Sequence, residues 1–482
     1  MSATISATAQ NDPPLPAGGD SFGQVEVRGC ERIPESERHG HPRELLMLWA
    51  SSNVTYLYVV LGGVVISMGL TLAQAACAIV LGNVWWFAVG LIAASGPAAG
   101  TPSYVVMRAL FGMRANRINV ALSGWVVCVG YGAINLSVGS LATDQLLAWC
   151  GVSPSLVLRV GVVVVTAALT LTVSIYGHAT MVRCAQPFTA VLALCFLAIA
   201  AAILPRVNLA WHPAHALTGW AAWGAVISAS AVIASNPLSW TSSADFARYL
   251  PADVRIRDVT LWTALGGFIP AVLLGLLGVA AGTLADMHDP QAALAGLLPG
   301  WLTPLFLVFI ALSSITNNIM TAYSSGLSLQ AIGVHARRSL TVLADGALAF
   351  SGTIYALFVA DFMSTLQDFL ALSVAVLAPG MAIYATDLVL RRNRYDGAAL
   401  GDQTRTSVYW YWHGVSPAGV IAQVAGTAAA LAAIVSKLWT GPIAVAFGGT
   451  DLSCLIGPLV AVPVYALLMA RPQSVSTRLS GS

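Results

Sequence analysis

Tyr131 and Asn135 lie four residues apart in an apolar stretch, a spacing that places both side chains on one face of a helix. The tyrosine ring could stack on a flat heterocycle, a contact worth about 1–3 kcal/mol in other stacking sites. The asparagine amide could offer a donor and an acceptor to the polar edge of that ring system. A packed tyrosine beside an asparagine that bonds a neighbouring helix explains the same spacing, and the pair taken alone favours this structural interpretation.

A second stretch, from residue 313 to residue 330, carries many polar groups in an otherwise apolar environment. They are Ser313, Ser314, Thr316, Asn317, Asn318, Thr321, Tyr323, Ser324, Ser325, Ser328 and Gln330. A helix facing lipid would not carry so many, so this segment is expected to line protein or a water-filled cavity. Asn317 and Thr321 lie one turn apart on it, and here the binding interpretation is favoured.

The dipeptide Asn236-Pro237 interrupts a third apolar stretch and is followed by Ser239 and Trp240. Proline removes a backbone donor, and in hydrocarbon the freed carbonyl groups need other partners. The interruption is either a kink in a packing helix or a place where backbone groups, Asn236, Ser239 and Trp240 meet a solute.

Asp245 and Arg248 follow at positions i and i+3 near the predicted cytoplasmic end of this stretch. They are interpreted as a local pair or as part of a gate, and a plain helix-end salt bridge is the favoured interpretation.

The first apolar stretch contains a cluster of small polar residues that includes Ser52 and Asn53. Small hydroxyl residues often join helices within a membrane. An asparagine amide in hydrocarbon is costly unless it has a partner. The cluster therefore predicts either helix packing or a break in the helix that belongs to a binding site.

The composition places the whole chain in a membrane. Of its 482 residues, 57% are hydrophobic and 9% are charged, whereas soluble domains carry about 25% charge. The sequence has no catalytic serine or zinc-protease motif and no phosphate-binding glycine loop. Its seven cysteines show no metal-ligand spacing. We therefore expect no enzyme activity, no metal and no cofactor. The dispersed arginines do not indicate nucleic acid.

The hydropathy pattern predicts about twelve membrane spans, since each needs about 20 apolar residues. They are 45–68, 71–95, 117–147, 157–176, 180–204, 220–247, 260–284, 300–333, 340–361, 366–390, 416–436 and 453–470. With the N-terminus inside, 19 of the 22 basic residues lie on cytoplasmic segments. The positive-inside rule therefore predicts that both termini are cytoplasmic. Residues 1–27 read as a disordered tail.

The polar interruptions recur along the chain. Asn53 and Asn236 lie 183 residues apart, and Tyr131 and Asn317 lie 186 apart. Corresponding interruptions in two halves of a transporter point to inverted repeats with a site at the midplane.

Several motifs together resemble the purine-cytosine permeases of the nucleobase:cation symporter-1 family. They are RGCERIPESERHGHP (28–42), SGPAAGTPSYVVMRALFG (95–112), VGYGAIN (129–135), NPLSWTSSADFARYLP (236–251) and NNIMTAYSSGLSLQAIG (317–333). The resemblance implies an all-α membrane protein with a leucine-transporter-like fold, in which two inverted five-helix repeats precede two extra helices. The implied division is tail 1–43, repeats 44–204 and 219–390, loop 391–415, extra helices 416–470 and tail 471–482.

The resemblance also implies a substrate held between the third and sixth helices, with amides from the third and eighth. Tyr131 stands where the family usually has tryptophan, Trp240 is the sixth-helix aromatic, and Thr321 replaces a second amide beside Asn317. Sodium-coupled relatives use two hydroxyl residues of the eighth helix, and these positions fall on Ile315 and Thr316.

Isoleucine cannot bind sodium, so proton coupling is favoured over sodium coupling. Asp345 is the candidate buried carboxylate, although it lies near the start of the ninth span, where a helix-end role is more usual.

The resulting hypothesis is a secondary transporter in the cell membrane. It would import cytosine or purines such as adenine and hypoxanthine by proton symport and alternating access. A transporter of another flat nitrogen heterocycle, such as allantoin, a hydantoin or a vitamin, is the alternative, and a channel is a third. The expected partners are the nucleobase and the lipid bilayer, with no obligate protein partner.

Overall fold

A computed structural model of the chain describes residues 22–26, 28–153, 155–213, 216–287, 289–334, 336–359 and 362–470. Within these ranges the regular structure is helical, and the extended pairings are two isolated bridges, Trp412–Val415 and Val435–Thr440. Residues 1–21 and 27 of the predicted N-terminal tail and all of the C-terminal tail lie outside the described residues.

Each of the twelve predicted spans coincides with helical structure. In order, the helices are Glu44–Asn53 with Tyr56–Ser67, Leu72–Asn83 with Trp85–Ala93 and Ser95–Ala99, Ala115–Val120 with Ala121–Trp125 and Val126–Trp149, Leu156–Tyr176, His178–Ile203, Gly219–Leu238, Ile256–Gly282, Thr303–Ile332, Arg338–Phe358, Phe362–Leu390, Pro417–Ala432 and Ser453–Ala470. The short helix Glu35–Glu37 precedes the first span. Short helices between the spans are Ser103–Val106, Arg108–Phe111, Leu204–Arg206, Ser243–Phe246, Pro290–Leu297, Gly397–Gly401 and Pro442–Ala446.

In the described ranges, ten helices are long and apolar enough to cross a membrane, and the bent pair of the first span makes an eleventh. Pro417–Ala432 is apolar but shorter. The all-α membrane fold is therefore confirmed, whereas the exact number of twelve crossings stays a prediction.

Local sequence explains where the second span begins. Thr71 and Gln74 form a capping box, in which the Gln74 backbone N–H donates to Thr71 Oγ1 and the Thr71 N–H donates to Gln74 Oε1. These bonds satisfy two donors that a helix start would otherwise leave unpaired.

Small residues let the first and seventh spans approach closely. Gly62 lies against the backbone of Gly275 and Gly278, where a Cβ atom would overlap the neighbouring chain. Without a hydrophobic force between helices in lipid, such close packing is a main source of helix association. The contact holds the broken first span against a long continuous helix.

The third and eighth spans pack side by side through the centre of the molecule. Their facing surfaces are buried and carry the polar groups that the sequence analysis selected, including Tyr131, Asn135, Asn317 and Thr321. The polar eighth span thus lines protein, as predicted.

Candidate functional site between the first, third, sixth and eighth spans

The first and sixth spans are both interrupted near the centre of the molecule. The first bends by 58° between Asn53 and Tyr56. The sixth ends as a helix at Leu238 and continues through a turn into the short helix Ser243–Phe246. Pro237 therefore lies within the last helical turn, and the discontinuity follows it. Interrupted helices expose backbone groups that can meet a solute within a membrane.

A small cavity lies where these interruptions meet the third and eighth spans. Its lining residues are Val127, Cys128, Tyr131, Asn236, Ser239, Trp240, Ser242, Asn317 and Thr321. Six of them are predicted substrate residues, which the fold brings together from three separate spans. Val127, Cys128 and Ser242 were missed, although Val127 and Cys128 lie one turn before Tyr131 and so share its helix face.

Asn317 ties two walls of the cavity together. Its Nδ2 donates to the Ser52 backbone oxygen at 2.8 Å, across the break in the first span. Its Oδ1 accepts from Asn135 Nδ2 at 2.7 Å. Asn135 lies behind Asn317 rather than on the cavity surface, and Ser52 contributes its carbonyl oxygen to this contact. Both residues therefore position Asn317.

Tyr131 and Trp240 are the two aromatic side chains of the cavity wall. The Tyr131 hydroxyl donates to the Ser235 carbonyl at 2.9 Å, and its ring meets Phe369 edge-on with centroids 5.5 Å apart. Trp240 meets Trp49 edge-on, with centroids 5.1 Å apart and planes at 88°. These contacts hold both rings in one orientation. The sides of the rings that face the cavity suit stacking with a flat ligand.

Asn236 supplies a polar atom with an unmet hydrogen-bonding capacity. Its Oδ1 is buried and has no partner among the described residues. The neighbouring hydroxyls are occupied as donors, since Ser239 donates to the Asn236 carbonyl at 2.6 Å and Thr321 to the Asn317 carbonyl at 3.1 Å. A buried unpaired acceptor costs about 1–3 kcal/mol, which a ligand N–H would recover. Asn236 and Trp240 both line the cavity.

Asn53 does not line the cavity. Its Nδ2 donates to the Trp49 carbonyl at 2.8 Å, and its Oδ1 accepts from the Tyr58 hydroxyl at 3.1 Å. Both partners belong to the first span, on either side of the break. The Asn53 amide therefore stabilises the bend in the first span. Of the expected roles, it contributes to the helix break and does not contact the cavity directly.

The two candidate coupling residues lie in different surroundings. Thr316 Oγ1 donates to the Ser313 carbonyl of its own helix at 2.9 Å. Asp345 is buried, being 3% exposed, and accepts from Trp125 Nε1 at 2.6 Å. It lies inside the helix Arg338–Phe358 and lines a second cavity beside the first. Asp345 is therefore the buried carboxylate that was expected near the start of the ninth span, and its role in coupling stays a prediction.

Asp245 and Arg248 do not take each other as their hydrogen-bonding partners, so the expected local salt bridge is wrong. Asp245 Oδ1 accepts from the Ser103 backbone N–H at 2.8 Å, and Oδ2 accepts from Ser324 Oγ at 2.9 Å. Arg248 instead pairs with Glu26 at 2.8 Å. Both side chains reach the eighth span, Asp245 at Ser324 and Arg248 at Tyr323, but each has its own set of partners.

Glu26 and Arg248 are at the centre of a buried polar cluster. Glu26 Oε1 accepts from Arg248 Nη2, from the Tyr249 hydroxyl at 2.7 Å and from the Tyr323 hydroxyl at 3.1 Å. Glu26 Oε2 accepts from the His178 backbone N–H at 3.0 Å. The N-terminal segment thus joins the fifth, sixth and eighth spans.

Sequence analysis missed Glu26 because the composition of residues 1–27 suggested a disordered tail. Glu26 is buried instead, and residues 1–21 and 27 lie outside the described residues. Nearby, Arg28 pairs with Glu37, and the hydrogen bond from Arg28 to this carboxylate raises the pKa of the guanidinium.

Residues 32–457 match the sequence profile of a family described as "Permease for cytosine/purines, uracil, thiamine, allantoin". This chain belongs to that permease family. It is therefore a multi-pass membrane transporter rather than an enzyme, and its membership of the nucleobase:cation symporter-1 family is confirmed.

Two named relatives span nearly the whole chain. The purine-cytosine permease fcyB of Emericella nidulans is 24% identical, over 93% of this chain and 88% of the relative. The purine-cytosine permease FCY2 of Saccharomyces cerevisiae is 23% identical, over 92% of this chain and 85% of the relative.

Solved structures confirm the leucine-transporter-like fold of this permease. Mhp1, a nucleobase-cation-symport-1 family transporter in a closed conformation with bromovinylhydantoin bound, aligns with a TM-score of 0.74 at 17% identity. The alignment covers 92% of this chain and 94% of that one. The inward-facing conformation of Mhp1 gives 0.68 at 16% identity.

Proposed function

We propose that this permease imports a nucleobase, cytosine or a purine such as adenine or hypoxanthine, by proton symport and alternating access. The observation that carries the proposal is the cavity in which the Tyr131 and Trp240 rings stand with the polar groups of Asn236, Asn317 and Thr321. Aromatic walls suit a flat ring, and a few fixed donors and acceptors suit its polar edge. The names of the two fungal relatives support the same substrate class.

The substrate would lie between the third and sixth spans. Its ring would stack against Tyr131 and Trp240, and an N–H group at its edge would donate to Asn236 Oδ1. Asn317 would hold the opposite edge, since Asn135 and the Ser52 carbonyl fix its amide orientation. Ser239 and Thr321 would contribute hydroxyl oxygens, which still have acceptor capacity after donating to backbone carbonyls.

The cytoplasmic gate of this proposal is the cluster around Glu26 and Arg248. Opening the cavity towards the cytoplasm requires the sixth span to separate from the eighth, and Arg248 bonds Tyr323 of the eighth at 3.0 Å. Asp245 adds a second connection through Ser103 and Ser324. Separation would expose these charged groups to water, which lowers the cost of breaking their bonds.

Proton coupling is supported by the side chains at the expected sodium position. Ile315 has no ligand oxygen, and the Thr316 hydroxyl donates within its own helix. One proton moving through a membrane potential of about 100 mV supplies about 2.3 kcal/mol. That energy concentrates a neutral solute about 50-fold, because 1.4 kcal/mol corresponds to about a tenfold ratio.

The arginine distribution supports a location in the cell membrane with both termini in the cytoplasm. The lipid bilayer and the substrate are the partners that this function requires, and no metal or cofactor enters it.

A second candidate substrate class is another flat nitrogen heterocycle, such as allantoin, a hydantoin or a vitamin. Thr321 favours it, because one hydroxyl offers fewer base-specific contacts than the amide that the family pattern has there. The family description and the bromovinylhydantoin bound to Mhp1 support the same alternative.

Uptake of labelled cytosine, adenine and hypoxanthine tests the proposal, in cells that lack their own base permeases. We expect saturable uptake of at least one base, loss of accumulation with a protonophore and no dependence on sodium. Uptake of allantoin or a hydantoin with none of the three bases would establish the second class instead. Sodium-dependent uptake that ignores the protonophore would contradict proton coupling.

A further inference from the structure

A second cavity lies beside the candidate substrate site, enclosed by the third, fourth, eighth and ninth spans. It is small, and Cys128 and Thr321 line both cavities. Asp345 contributes a carboxylate, and Thr170, Asn318 and Ser325 contribute polar groups. The two cavities therefore share a wall formed by one residue of the third span and one of the eighth.

The polar atoms of this cavity are incompletely bonded. Asp345 Oδ1 accepts from Trp125 Nε1, whereas Oδ2 is buried with no partner among the described residues. The same holds for Asn318 Oδ1, Ser325 Oγ and Thr170 Oγ1. All four residues are at least nine-tenths buried. Buried polar groups in folded proteins usually have partners, and a ligand in this cavity would supply the partners that these four groups lack.

We propose that Asp345 binds the co-transported proton in this cavity, an inference that rests on the proposed function. The proton enters from the outside and forms an O–H bond at Asp345 Oδ2. The resulting acid donates to Asn318 Oδ1 or to the hydroxyl oxygens of Ser325 and Thr170, directly or through one water. Release breaks that O–H bond and delivers the proton to the cytoplasm, so no other reactant is needed.

The charged and titratable surroundings of Asp345 are simple. Among the residues that line this cavity, Cys128 is the only other titratable group, and its sulfur contacts the Tyr104 hydroxyl at 3.7 Å. The fourth span contributes Thr170, and the eighth contributes Asn318, Thr321 and Ser325. The neutral thiol and the neutral polar groups do not balance the negative charge of an ionised Asp345. Binding a proton removes this charge and so lowers the cost of burying the carboxyl group.

Trp125 is a positioning residue for this site. It ends the π-helical segment Ala121–Trp125 of the third span, a wide turn of the kind often found at functional sites. Its indole N–H stabilises the ionised carboxylate more than the protonated one. The third span therefore connects the two sites, since it carries Trp125 towards Asp345 and Tyr131 towards the substrate.

The test uses purified full-length protein in liposomes, with whichever labelled base the wild type transports. Asp345→Asn keeps the side-chain shape and cannot bind or release a proton. We expect it to retain exchange of internal for external base and to lose accumulation driven by a pH gradient. Asp253→Asn, which removes an exposed carboxylate, is the matched control and is expected to retain both.

Trp125→Phe tests whether Trp125 acts on the Asp345 carboxylate, because a purely structural role would leave the pH dependence of uptake unchanged. Removing the indole N–H favours the protonated carboxyl, so the midpoint of the pH dependence of uptake is expected to move to higher pH. An unchanged midpoint together with normal uptake would contradict the assignment of Trp125.

Infrared difference spectra between acidic and alkaline buffer test Asp345 without any base. We expect a protonated-carboxyl stretching band that is absent in Asp345→Asn, which separates this inference from the proposed function. Absence of that band in the wild type would overturn the proton site. Retained pH-driven accumulation in Asp345→Asn would overturn it as well. Sodium-driven accumulation that Asp345→Asn abolishes would make the cavity a sodium site and overturn the proton assignment.

Discussion

Asn135 donates its side-chain N–H to the Asn317 side-chain oxygen at 2.7 Å, joining the third and eighth spans beside the cavity. This bond settles the orientation of the Asn317 amide, because its Oδ1 is then the acceptor and its Nδ2 must point to the Ser52 carbonyl. The Asn317 side chain therefore connects the eighth span to the third span through Asn135 and to the break in the first span through Ser52.

Asn317→Ala is expected to weaken substrate binding by tenfold or more. The substitution removes the amide that would hold the polar edge of the substrate, and losing one such hydrogen bond costs about 1–3 kcal/mol of binding free energy. It also leaves Asn135 and the Ser52 carbonyl without this partner. The measurement is the dissociation constant of the transported base for purified protein. Asn208→Ala, at an exposed loop position, is the control. Unchanged affinity in Asn317→Ala would place the substrate elsewhere.

Tyr131 permits a separation of ring stacking from hydrogen bonding. Tyr131→Phe keeps the ring and removes only the bond to the Ser235 carbonyl, whereas Tyr131→Ala removes both. If the ring stacks on the substrate, the alanine variant loses about 1–3 kcal/mol of affinity, and the phenylalanine variant loses much less. Equal losses in the two variants, measured by competition binding, would argue that the hydroxyl alone matters.

Asn236 and Asn53 are expected to behave in opposite ways. Asn236 Oδ1 has no partner among the described residues, so Asn236→Ala is expected to lower affinity while the melting temperature stays the same. Asn53 bonds Trp49 and Tyr58, and Asn53→Ala is expected to destabilise the protein by about 1–3 kcal/mol. Thermal unfolding and base binding are measured on both. A stability loss in Asn236→Ala without an affinity change would assign it to packing.

Glu26→Gln is expected to favour opening on the cytoplasmic side. Removing one charge of a buried ion pair costs about 3–5 kcal/mol, because the remaining Arg248 charge stays buried without its counterion. Cys30, which is partly buried next to this cluster, reports opening through faster labelling by a membrane-impermeant maleimide applied to inside-out vesicles. Glu35→Gln changes an exposed carboxylate and is the control. Slower or unchanged labelling of Cys30 would contradict a gating role.

Individual residues show which features the sequence predicted and which depended on the tertiary structure. The Asn236-Pro237 dipeptide predicted an interruption of the sixth span, and the structure places the break two residues later, because proline is tolerated in the last helical turn. Asn53 predicted either a break or a site, and its bonds within the first span select the break. Asp245 and Arg248 were expected to pair from their spacing, but Asp245 bonds Ser103 and Ser324, whereas Arg248 bonds Glu26 and Tyr323.

The sequence by itself determined that this protein is a helical membrane transporter with a polar centre, because lipid tolerates polar side chains only where protein or water satisfies them. It also identified Tyr131, Trp240, Asn317 and Thr321 as candidates. Only the tertiary structure decided that these side chains share a cavity, that Glu26 reaches Arg248 and that Asp345 is buried against Trp125. Each of these contacts joins residues that are far apart in the chain, and no local periodicity encodes which segments face each other.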